Sequence, residues 1–140
     1  VFHVYDKLHL DRIPRRYTVE AGKRLSDDWA VEADGAFDLW LIGPNGFVRA
    51  IKGSLAENDT PPIVTTRYDR KGPALKLTSR GNAEVRSEHY GARTEALKAS
   101  HVWSAKDSQG WYDLTVTAPG FEQRFAGRIE TGRHSISDPA

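Results

Sequence analysis

Gly35–Gly53 reads GAFDLWLIGPNGFVRAIKG, and Gly110–Gly127 reads GWYDLTVTAPGFEQRFAG. With Asn45 set aside, the two stretches align over 18 columns. Seven columns are identical: Gly35/Gly110, Asp38/Asp113, Leu39/Leu114, Pro44/Pro119, Gly46/Gly120, Phe47/Phe121 and Gly53/Gly127. Chance would give about one, since average usage is about 5–7% per residue type. A chain that repeats itself uses one supersecondary unit twice. Here the unit reads as a β-hairpin. Phe37, Leu39 and Leu41 share one face of a strand, with Asp38 and Trp40 on the other; Tyr112, Leu114 and Val116 repeat that face against Asp113 and Thr115. Ala118-Pro119-Gly120-Phe121 suits a type II turn, with Pro fixing φ and Gly accepting a positive φ. Pro44-Asn45-Gly46 suits a type I turn closed by a Gly bulge, so the alignment gap falls where hairpins tolerate it. The return strands are Phe47–Lys52 and Phe121–Ile129.

Outward from the hairpins, period two continues. Further strands are expected at Phe2–Asp6, Tyr17–Glu20, Trp29–Ala33, Ile63–Tyr68, Leu75–Ser79, Ala83–Glu88, Thr94–Lys98 and Val102–Ser104. Gly91–Ser100 scores equally as a short helix or as strand. Short strands with turns every 8–12 residues or so indicate an all-β fold, an antiparallel, Ig-like β-sandwich. Ala83–His89 matches the region of Val1–Asp6, and each leads through a second strand to a Trp, Trp103 or Trp29. Nothing before Val1 matches Leu75–Ser79, so copy one (1–57) reads as missing its first strand, with copy two at 62–140. The polar, Pro-ended stretch 54–62 is the linker.

Composition narrows the function. The 140 residues are 39% apolar and 28% charged, with net charge +1. Residues 1–70 carry 10 Lys/Arg against 11 Asp/Glu, and residues 71–140 carry 10 against 8. Neither half has the field of a nucleic-acid binder. No apolar run reaches the roughly 18–20 residues of a membrane span, and the start has no signal-peptide pattern. With no Met, and strand-like residues from the outset, the chain reads as a piece of a longer polypeptide. With no Cys, disulfides and thiolate metal sites are excluded.

No catalytic constellation is visible. The five His form no metal-ligand spacing, there is no Gly-x-Ser-x-Gly elbow, and no cofactor is expected. Asp38 and Asp113 tempt as paired carboxylates, but an outward strand position that pairs with a neighbouring strand is the better reading. Asp27-Asp28 and Glu57-Asn58-Asp59 are acidic loop clusters without EF-hand spacing. Two basic groups, Arg12/Arg15/Arg16 and Arg67/Arg70/Lys71, have the fork and charge to meet an anionic headgroup. Solvated loop charge is their default role. Trp40, turned from the Leu39/Leu41 face, would cover the other sheet face, meet a partner domain or touch a membrane interface.

The run from His3-Val4-Tyr5-Asp6 through Leu8-His9-Leu10-Asp11-Arg12-Ile13-Pro14-Arg15-Arg16-Tyr17-Thr18-Val19-Glu20-Ala21-Gly22-Lys23 is distinctive. So are Tyr112-Asp113-Leu114 with its echo Phe37-Asp38-Leu39-Trp40, the turn Gly43-Pro44-Asn45-Gly46-Phe47, and the ending Gly132-Arg133-His134-Ser135-Ile136-Ser137-Asp138-Pro139. Over essentially its whole length the chain resembles the C-terminal region of bacterial phosphocholine-specific phospholipases C. The resemblance implies two tandem β modules behind a large catalytic domain of the alkaline-phosphatase type. It also implies export, and a parent enzyme that cleaves phosphatidylcholine, in some members sphingomyelin, to phosphocholine and a lipid. That family's catalytic residues and metal lie upstream, and no position here matches them. A non-catalytic accessory domain that packs on the catalytic domain and orients it at a phospholipid surface is therefore expected. The competing readings are a carbohydrate- or protein-binding Ig-like module and a free-standing hydrolase.

Overall fold

A computed structural model describes residues 1–56 and 62–137. Of the stretch 54–62 expected as a linker, Ser54 ends the strand Val48–Ser54, and residues 57–61, with Glu57-Asn58-Asp59, lie outside the described residues. The described chain is all-β, with nine antiparallel strands: β1 Phe2–Asp6, β2 Arg15–Tyr17, β3 Ala36–Ile42, β4 Val48–Ser54, β5 Val64–Asp69, β6 Ala74–Ser87, β7 Arg93–Ser104, β8 Trp111–Ala118 and β9 Phe121–Arg128. They run in the order β2-β1-β3-β4-β9-β8-β6-β5, with β7 also paired to β6.

The repeat explains this order. Each hairpin, β3–β4 and β8–β9, has its outgoing strand beside a partner, β1 or β6, and the two return strands pair with each other. Ala50 stands opposite Arg124, which is its own alignment counterpart. A local pseudo-two-fold therefore passes through that pair and sets both copies side by side with equivalent faces on the same side. The outer strands obey it too. Val4 faces Leu41 as Val85 faces Val116, and Phe2 faces Tyr17 as Ala83 faces Leu97.

Symmetry also accounts for the repeated glycine at the hairpin end. Gly53 lies opposite Phe37, and Gly127 opposite Tyr112. A Cβ on Gly53 would come within 3.0 Å of the Phe37 ring, and one on Gly127 within 3.0 Å of the Tyr112 hydroxyl. The aromatic ring lies where a side chain would stand, which is how glycine is used inside a strand.

Copy two builds the closed core. The first half of β6 pairs β5, its second half pairs β8, and β7 runs along both halves. Between them the register shifts from Thr78 to Asn82 against Ser100 to Lys98, with Ala99 at φ 67. Such a bulge bends a strand, and here the bend folds one layer onto the other. Val64, Leu75, Leu77 and Trp103 meet Leu114, Val116 and Phe125 in one buried cluster. This is the sandwich that alternation predicts.

Several boundaries differ from expectation. Leu75–Ser79 and Ala83–Glu88 are one bent strand, and so are Thr94–Lys98 and Val102–Ser104, because a bulge interrupts pairing without ending the strand. The helix alternative at Gly91–Ser100 is strand. The strand expected at Tyr17–Glu20 ends at Tyr17, where β1 stops offering partners. Trp29–Ala33 is not a strand: no strand pairs with it among the described residues, and only Trp29 is partly buried. The loop at Pro44-Asn45-Gly46 has the expected length but another conformation. Asn45 (φ 56) and Gly46 (φ 71) are both left-handed, with the Phe47 amide donating to the Pro44 carbonyl at 3.2 Å. Asn tolerates that region better than most residues, and Asn-Gly favours it as a pair.

Candidate functional site

The sheet has an inner face, covered in copy two, and an outer face. In copy one, alternation sends Phe37, Leu39 and Leu41 inward and Trp40 and Ile42 outward, the latter two each 39% exposed. Tyr5 stands opposite Trp40, His3 opposite Ile42, and Arg16 opposite His3. These residues form one outward patch on three strands, aromatic and basic together. Lys7 lies 4.2 Å from the Trp40 ring centroid and 3.7 Å from Asp38.

Arg15 and Arg16 are neighbours in sequence but project from opposite faces of β2. Arg15 is on the inner side, where its guanidinium donates to Asp27 at 2.8 Å and to the Asp28 carbonyl at 2.9 Å, and stacks on Trp29 at 4.1 Å. The Tyr17 hydroxyl donates to the same Asp27 carboxylate. Arg12 is exposed, 3.6 Å from Asp6. The second basic group lies on β5 and the turn that follows it. Arg67 stands opposite Lys76 on the outward face of β5 and β6, and Arg70 and Lys71 occupy the turn after β5. The seven residues singled out from the sequence are thus dispersed. Arg16 and Trp40 share a patch, Arg15 is held by Asp27, and Arg67, Arg70 and Lys71 stand apart.

Beneath the Arg15–Asp27 clamp lies an apolar trough of about 510 Å³ on the inner face of copy one. Phe2, Leu25, Trp29, Leu39, Leu41 and Phe47 line it. In copy two the equivalent face is sealed, and Leu114 and Val116 are each 0% exposed. Leu39 and Leu41, in the same columns, are only partly buried. The Asp27 carboxyl is held below its usual value, first by the Tyr17 hydroxyl and then by Arg15. A carboxylate depressed on folding adds stability above its unfolded pKa and loses it as pH falls through the lower folded value. The clamp therefore stays closed through mild acid and opens only below the ordinary aspartate range near 3.8. Asp27→Asn removes the carboxylate at every pH. Trp29 should then be more accessible to acrylamide at neutral pH, and the acid step in its quenching should vanish; an acid step that survives the substitution contradicts the clamp.

Other polar groups are spent on structure. Arg124 grips Asp113 through a two-pronged pair at 2.8 and 2.6 Å, so the repeated aspartate binds a neighbouring strand as expected. Sequence reading passed over Arg49. It lies on the apolar side of β4 between Phe47 and Ile51, and its alignment counterpart is Gln123. Both are long polar side chains on an inward position, a signal available in the alignment. Arg49 donates to the Ala126 carbonyl at 3.0 Å, to the Tyr112 hydroxyl at 3.0 Å and to the Tyr68 hydroxyl. Gln123 pairs with both backbone groups of Val64, at 2.9 and 3.2 Å. Together they hold β5 over the seam between the copies. Burial raises the Tyr112 hydroxyl pKa above its usual value, against the pull of Arg49.

Among the described residues, no cluster of three or more His, Cys, Asp or Glu is arranged to hold a metal ion. The family described as bacterial phospholipase C, C-terminal domain, matches residues 1–54 and 62–128. The chain is 43% identical over 145 residues to a non-hemolytic phospholipase C of Burkholderia pseudomallei, covering 90% of this chain and 21% of that protein. It is 36% identical over 160 residues to a non-hemolytic phospholipase C of Pseudomonas aeruginosa (99% and 23%). It is 35% identical over 158 residues to the hemolytic phospholipase C of the same organism (90% and 22%). The chain therefore spans about a fifth of the length of these relatives. No solved structure matches.

Proposed function

The chain belongs to the bacterial phospholipase C, C-terminal domain family, and on that premise we propose that it is the non-catalytic module of a secreted phospholipase C acting on phosphatidylcholine. It packs on the catalytic domain and helps present the enzyme to a lipid surface. The observation that carries this reading is how the side chains with chemical potential are used. Asp113 is bound to Arg124, Asp27 to Arg15 and Tyr17, and Arg49 to two tyrosines and a carbonyl. Each such group holds the scaffold together, and a scaffold is what a presenting module needs.

The outer patch supplies the lipid contact. Trp and Tyr favour the membrane–water interface, and Arg16 beside them adds charge attraction to anionic lipid. Arg16 has no ion pair among the described residues, whereas Arg15 is neutralised by Asp27. In the parent enzyme, Arg16→Ala with Trp40→Ala should weaken co-sedimentation with vesicles of phosphatidylcholine and an anionic lipid by roughly fivefold or more, at about 1 kcal/mol per basic residue near the surface. The Arg16 share should fade with added salt. Turnover of a soluble phosphocholine ester should be unchanged. Vesicle binding equal to the parent's would remove the lipid role, and phosphocholine release by the isolated chain would overturn the non-catalytic one.

A further inference from the structure

In copy two, the inner face of the β8–β9 hairpin is closed largely by the first half of β6, whose Leu75 and Leu77 are wholly buried. That half-strand leads through the bulge directly into the half that pairs with β8. In copy one the counterpart of the second half is β1, by the matched registers Val4–Leu41 and Val85–Val116. The counterpart of the first half would stand immediately before Val1. Phe2, the first residue of β1, already lines the trough. Chain preceding it therefore arrives at the trough's rim.

From this we infer that, in the parent protein, the polypeptide immediately preceding Val1 extends β1 backward through a bend and lies as an extended strand over the trough. Its alternate apolar side chains pack on Leu39, Leu41 and Trp29, as Leu75 and Leu77 pack on Leu114 and Val116. Of the reading above, the inference rests only on the part that makes this span a piece of a longer polypeptide. At the seam, β5 is already gripped by Arg49 and Gln123 from the two copies. The trough's apolar lining suits side chains that alternate along a strand. Copy two also provides a parallel for the tryptophan: Arg93 stacks on Trp103 at 4.0 Å as Arg15 stacks on Trp29 at 4.1 Å. The buried Trp103 has its strand neighbour Leu75, while Trp29 has an open side toward the trough.

The test uses the full-length parent enzyme with the photo-crosslinker benzoylphenylalanine at Leu25, an exposed rim position that tolerates replacement, and separately at Trp29. After irradiation and digestion, mass spectrometry should place the adduct within the peptide that immediately precedes Val1. A probe at Trp40, on the other face, should give no adduct there. Capture of a distant part of the enzyme, of a second copy (seen as doubled mass), or of added phosphatidylcholine would overturn the inference. So would the absence of any adduct from both positions, because the probe reacts with whatever packs against it. Phosphocholine release by the same preparations reports separately on the enzyme reading. An inactive preparation that still gives the expected adduct sinks that reading and leaves this one standing.

Discussion

Leu114→Ala is expected to destabilise the 140-residue chain by about 3–4 kcal/mol, and Leu39→Ala by about 1 kcal/mol, although the two leucines share one alignment column. Leu114 is 0% exposed and packed on all sides by the β5–β6–β7 layer. Removing its side chain leaves a cavity that the sandwich cannot collapse. Leu39 looks into the trough, so its removal enlarges a space that already exists, and mainly the transfer term is lost. Thermal unfolding followed by circular dichroism should separate the variants by several degrees, at about 3 °C per kcal/mol for a chain of this size. Equal costs would mean that copy one is sealed as tightly as copy two in solution. The same pair bears on the strand inferred before Val1. In the parent enzyme the Leu39→Ala cost should climb toward that of Leu114→Ala, because the side chain would then be covered.

How much of this was legible in the sequence depends on the range of each signal. The repeat, the period-two faces and the turn residues are local, and they placed the hairpins at Ala36–Ser54 and Trp111–Arg128 to within a residue or two. The match of Ala83–His89 to Val1–Asp6 was also legible, and the registers bear it out through Val4 and Val85. Alternation even put Trp40 on the outer face. What stayed hidden needed a partner. Whether Trp29–Ala33 is a strand depends on a neighbour to bond with, and none is present among the described residues. Whether Ser79-Arg80-Gly81 ends a strand or bends it depends on β7 running past. Arg15 and Arg16 looked like one basic group because sequence distance was read as spatial distance. They were expected in a loop ahead of a strand starting at Tyr17, but β2 takes in both, and in a strand adjacent residues project to opposite faces. Arg49 was missed for a different reason: attention went to identical columns, and the column pairing Arg49 with Gln123 is unlike in residue type but alike in role.

That column carries the second large effect. Arg49→Ala should cost about 2 kcal/mol, in the range of hydrogen bonds to a charged donor lost from a half-buried site. The guanidinium ties copy one to copy two by three routes. Nη1 donates to the Ala126 carbonyl on β9, and Nη2 donates to Tyr112 and to Tyr68, while within copy one the planar group stacks on Phe47 at 4.2 Å. No carboxylate pairs with it among the described residues, so its charge is stabilised by oxygen dipoles and ring faces. Truncation leaves the Tyr112 hydroxyl, which burial already holds in its neutral form, with Tyr68 at 3.1 Å as its remaining partner. Arg49→Lys keeps the charge but loses the fork, and should recover only part of the loss. A double-mutant cycle with Tyr112→Phe separates the knot from simple loss of packing. Residues joined in one network couple by about 0.5–3 kcal/mol, so the two substitutions together should cost less than their sum. Strict additivity in urea unfolding would show that Arg49 does not act through the tyrosines, and the account of how the two copies are locked at the seam would fail with it.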